Sequence, residues 1–187
     1  IQSYILIGYF LFDRWFILNN YENYITKYSI AFSFSQIVFI ALNTIAFTMQ
    51  KKLGENFKKY TKSEVNNLLK INFYFFLFIT LISIFIIYLV IYFEFFPLYG
   101  NFLYSFIIIS ICYGVYYTFS SYNVIALYSG YSKKLLKVLI ISIFFSIIIS
   151  YILVILHFDY YFFIIKSGLI LIFTALYTYK YILKCLK

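Results

Sequence analysis

Charge is what this chain has least of. Only 11% of its residues are Asp, Glu, Lys or Arg, and a soluble domain of this size needs more than that to cover its surface. Acids are the scarcest, six in all, and no two of them form the paired set that acid–base hydrolysis needs. With one histidine, His157, there is no metal-ligand spacing and no Ser/His/Asp set. There is no glycine-rich phosphate loop either. An enzyme is therefore not expected, and neither a metal nor a cofactor. Of the two cysteines, Cys112 falls inside an apolar run and Cys185 in the C-terminal tail. Their different depths argue against a disulfide. The one proline, Pro97, and Gly130 read as turn markers.

What fills the chain instead is apolar: 65% hydrophobic and 26% aromatic residues, with a mean hydropathy of +0.93. Residues 71–93, INFYFFLFITLISIFIIYLVIYF, carry no charge, and 138–156, VLIISIFFSIIISYILVIL, carry only serines and a tyrosine among apolar residues. A bilayer core takes about 20 apolar residues per helix. Barrel strands would instead alternate apolar and polar over about 10 residues. The reading is an all-α integral membrane protein with six spans, at 1–18, 28–48, 71–93, 101–128, 135–156 and 160–179. The fourth span contains Gly114, where tilt or a kink is expected. The chain opens on Ile1 inside an apolar run, which reads as a fragment or a chain cut at its N-terminus. A cleaved signal peptide is the alternative, but no cleavage-like site is present.

The net charge of +9 is distributed unevenly. The loop after the second span holds Lys51, Lys52, Lys58, Lys59, Lys62 and Lys70. The loop after the fourth holds Lys133, Lys134 and Lys137, and the tail holds Lys180, Lys184 and Lys187. If six spans alternate, all of these fall on one side. That side is read as cytoplasmic, with both ends inside and the lysines serving topology and anionic headgroups. Nucleic acid is not an expected partner; membrane lipid is. Short turns near 19–27, 94–100 and 157–159 then lie outside, giving three helical hairpins. The longer loop 49–70 sets Leu53, Phe57, Tyr60 and Val65 among lysines, the pattern of a short interfacial helix.

Polar side chains inside a bilayer are costly and turn toward protein or water. Ser29, Ser33, Gln36 and Asn43 share one helical face, as do Tyr113, Tyr116, Ser120 and Asn123. Each stripe is read either as interhelical hydrogen bonding or as the wall of a transport cavity. Ser142, Ser146 and Ser150 recur at every fourth position, the signature of close helix packing. The strong intramembrane charges are Asp13, Arg14 and Lys166, all within about two turns of the outer end. Arg14 and Lys166 are read as snorkelling to the interface, or else as a cationic site for a phosphate-bearing headgroup. Asp13 is a candidate for coupling to a proton or cation.

Two stretches resemble a known family. The run GYFLFDRWFILNNYENYITKYSIAFSFSQIVF, with Asp13, Arg14, Tyr28 and Ala31, is similar to the start of the C-terminal half of Wzx-type polysaccharide or O-antigen flippases of the MATE-like MOP superfamily. The run NVIALYSGYSKKLLKVLIISIFFSIIISYILV, with Gly130 and Lys133 at the turn, resembles a later hairpin of the same half. The chain departs from the pattern with Met49 and Gln50 where a proline is common, and with Ser146 and Ser150 where asparagines are common. The resemblance implies a six-transmembrane-helix bundle over 1–187, one lobe of a MATE-like transporter of twelve spans or more. The other lobe would be an N-terminal part of the same chain. It also implies flipping of an undecaprenyl-diphosphate-linked oligosaccharide across a bacterial inner membrane, by alternating access, for capsule or O-antigen. The candidate substrate cavity is then Asp13, Arg14, Ser33, Gln36, Asn43, Tyr113, Tyr116, Ser120, Asn123 and Lys166. A MATE-like multidrug or small-molecule exporter, a polysaccharide polymerase or ligase fragment, and an accessory subunit are the competing readings.

Overall fold

The computed structural model describes the backbone at residues 2–55, 61–95, 102–119, 122, 125–126 and 130–183, and side chains within 11–181 of these apart from 43 and 45–55. Six helices run through these residues: α1 Gln2–Asn20, α2 Glu22–Glu55, α3 Lys62–Tyr92, α4 Leu103–Thr118, α5 Ser132–Ile155 and α6 Tyr161–Leu183. No strand occurs among the described residues. Among the described residues, four helices have the length and apolarity to cross a membrane: the Glu22–Leu42 part of α2, then α3, α5, and the Tyr161–Tyr181 part of α6. The described part of α4 is apolar but shorter.

Helices and apolar runs do not share their ends. α3 begins nine residues before the run at 71, because Thr61 and Glu64 form a reciprocal capping box. Its 31 residues rise about 46 Å, longer than a hydrocarbon core of about 30 Å. The interfacial helix expected over 49–70 is not a separate element where that stretch is described. Its first part, with Leu53, continues α2, and Val65 belongs to α3. Val65 is fully buried against a cluster with Tyr122, Leu135 and Leu139. Phe57 and Tyr60 lie outside the described residues.

α4 is the axis of the bundle, packed against α2, α3 and α6. Most of its positions are buried, hydroxyl residues Ser105, Ser110 and Thr118 among them, while Tyr104 and Ile111 are exposed. Gly114 does not interrupt it. The glycine instead lets α3 approach: a Cβ there would overlap the ring of Phe76. Gly168 plays the same part for α6, where a Cβ would strike Cys112 Sγ.

The turns close tightly. One residue, Tyr21, separates α1 from α2. α3 and α5 both end by turning one residue into the left-handed region, Glu94 at φ 51° and His157 at φ 54°. Each end closes with the paired bonds of a Schellman motif: Glu94 N–H to Ile91 O at 3.1 Å with Phe95 N–H to Val90 O at 3.2 Å, and His157 N–H to Val154 O with Phe158 N–H to Leu153 O, both 3.1 Å. The Tyr21 hydroxyl donates to Phe158 O, and burial, with Asp159 close by, raises its phenol above the ordinary range. Tyr24 stacks on Tyr160 at 4.5 Å, so the α1–α2 corner is docked onto the α5–α6 corner.

Candidate functional site

α1 turns Asp13, Phe16 and Ile17 inward, positions spaced as one helical face. Asp13 is 0% exposed and Lys166 of α6 only 6%. The lysine Nζ donates to Asp13 Oδ1 at 2.6 Å and to Ser150 Oγ of α5 at 2.6 Å, with Ser146 O at 3.4 Å. Ser150 Oγ in turn donates to Ser146 O at 3.0 Å. Three helices thus meet on one ammonium.

The three residues are level with one another. Asp13 lies seven residues before the end of α1, Ser150 five before the end of α5, and Lys166 five after the start of α6. At about 1.5 Å per residue, each sits roughly 8–10 Å in from the corner end of the bundle. Level placement of opposite charges is what antiparallel hairpins with adjoining corners produce.

This corrects the reading of Lys166 as a snorkelling residue. Its charge has a buried carboxylate within reach and turns inward to it. The serine stripe of α5 is buried as expected for close packing, and all three serines face protein. Their small size leaves room for the lysine chain, and Ser150 Oγ and Ser146 O receive its protons. Ser167 stands beside the Asp13 carboxylate.

The other candidates are dispersed. Gln36, half-buried on α2, donates from Nε2 to the Tyr113 hydroxyl of α4 at 2.6 Å. Ser35 Oγ and Ser110 Oγ lie 3.4 Å apart one turn away. These are the interhelical bonds of the packing alternative. Tyr116 is buried on α4. Ser33, expected to face protein or a cavity, is exposed and bonds back to Ser29 O at 2.9 Å. The reason is angular: the inward positions of α2 are Tyr28, Ala31, Ser35, Val38 and Leu42, and Ser33 stands about 200° round the helix from Ser35. Arg14 is exposed on α1. Ser120, Asn123 and the Asn43 side chain lie outside the described residues. Asp13 and Lys166 come together, as do Gln36 and Tyr113; Arg14 and Ser33 join neither pair. Asn72 and Thr80 of α3 are buried polar residues not among the sequence candidates.

No family model matches the chain, and no match is found among curated proteins or solved structures.

Proposed function

We propose that this chain forms one lobe of a membrane transporter that flips a lipid-linked oligosaccharide across a bacterial cell membrane by alternating access. The observation that carries the reading is the uneven exterior of the bundle. On α3, exposed positions from 71 to 88 hold only Ile, Leu, Phe and Tyr, and on α5 the same is true from 140 to 155. Those are faces for lipid. On α1 and α2 the exposed positions include Arg14, Thr26, Ser33 and Thr44, and α2 holds the least apolar of the four membrane-length segments.

An arginine about 9 Å in from the end of α1 is costly against acyl chains. It suits a face that meets a polar substrate or another part of the transporter. Its planar fork matches phosphate oxygens, as a lysine point charge does not. It is the one arginine beside 14 lysines. An exporter of small molecules is the second reading.

The test is complementation of surface-polysaccharide export by the protein as its gene encodes it, at matched membrane levels. Arg14→Ala is expected to lower export at least tenfold, the loss of a charge-assisted bidentate contact, and Arg14→Lys to restore it in part. Normal export by Arg14→Ala removes the headgroup role. Unchanged polysaccharide with raised sensitivity to toxic organic cations would favour the small-molecule exporter.

A further inference from the structure

The oxygens around Lys166 outnumber what a lysine can use. An ammonium has three protons, and they are directed at Asp13 Oδ1, Ser150 Oγ and Ser146 O. Three more oxygens on these helices are buried: Asp13 Oδ2, Ser167 Oγ, which stands beside the Asp13 carboxylate, and Ser146 Oγ. All six belong to four residues, and each of these residues is at least nine-tenths buried. Three of the six, a carboxylate, a hydroxyl and a backbone carbonyl oxygen, meet at the ammonium, and these are ligand types that a hard cation takes.

We infer that α1, α5 and α6 build an oxygen-lined site for one small monovalent cation, and that the chain fills this site with its own Lys166 ammonium. Charge selects the valence. Asp13 is the one carboxylate in the site, so a single positive charge neutralises it, whereas a divalent ion would leave a net charge buried in an apolar bundle. Hydroxyl and carbonyl oxygens supply the rest of the shell. Because the occupant is tethered, the bundle does not draw on dissolved cations. Shortening the lysine to alanine empties the place of the ammonium while leaving all six oxygens, and a free cation or methylammonium then substitutes for it. This inference rests on the geometry of the site alone and stands or falls separately from the proposed transport activity.

The experiment is thermal unfolding of the full chain in lipid nanodiscs, followed by fluorescence of Trp15. The salts are the chlorides of sodium, potassium, ammonium and methylammonium, against N-methyl-D-glucamine, which is too large to enter, at matched ionic strength. The unsubstituted protein is expected to unfold at one temperature in all five. Lys166→Ala is expected to unfold about 3–6 °C higher in at least one small-cation salt, the shift for a cation at tenfold its dissociation constant. Lys166→Met, whose longer side chain keeps the space filled, and Asp13→Asn/Lys166→Ala, which lacks the negative charge, are expected to show no such difference. A Lys166→Ala protein that folds in none of the salts, or unfolds at the same temperature in all of them, overturns the inference.

Discussion

Replacing Lys166 by methionine lowers the stability of the bundle by about 3–5 kcal/mol, the usual cost of leaving one member of a buried ion pair without its partner. Asp13 is fully buried, and its Oδ1 loses a 2.6 Å charge-assisted bond. Methionine keeps most of the volume, so the loss reports the stranded carboxylate and not a cavity. The matching expectation concerns the double variant. Asp13→Leu/Lys166→Met removes both charges and regains most of the lost stability, because a buried pair is worth little more than well-packed apolar residues of similar size. Titration with SDS, followed by Trp15 fluorescence, measures both. Additive losses in the double variant would mean that the two side chains do not act as a pair.

The second large effect falls on Gly114. A Cβ at this position overlaps Phe76 Cδ2 and Cε2, and Phe76 is itself 5% exposed with little room to retreat. Gly114→Val is expected to cost about 3 kcal/mol, at the upper end for overpacking a core. Gly114→Val/Phe76→Ala should recover part of it by making the space on α3 that the new side chain needs. The same unfolding titration reads the result. A Gly114→Val protein as stable as the parent would mean that α3 does not approach α4 this closely.

Long uncharged runs make the helical class legible in the sequence, because hydropathy reports the burial of whole segments. Helix ends are harder to place. Hydropathy marks where lipid stops, and α3 continues past that point on the strength of Thr61 and Glu64, a capping signal plainly present in the sequence. The central place of α4 is hard to read from periodicity, since a helix buried on most of its sides shows no single apolar face. On α2, spacing groups Ser29, Ser33 and Gln36 correctly as neighbours but does not say which way the group points. The fold turns Ser35 inward and leaves Ser33 exposed.

The charge pair shows the same division. Asp13 and Lys166 stand out by their cost in an apolar layer, yet they are 153 positions apart. A lysine near a helix end ordinarily reaches for the interface. The signal that points the other way is depth. Opposite charges at matching distances from corners that adjoin are placed to meet, and the buried serines of α5 at that same level mark where.

That the chain crosses the membrane as antiparallel helices underlies every other claim, and α5 offers the most direct test of it. Its 24 residues rise about 36 Å, with Lys133 exposed at one end and His157 exposed just past the other. In a Cys112→Ser/Cys185→Ser background, single substitutions His157→Cys and Lys133→Cys are exposed to a membrane-impermeant maleimide in intact cells and again after permeabilisation. The account predicts that His157→Cys reacts in intact cells and Lys133→Cys only after permeabilisation. Reaction of both from the same side would contradict it.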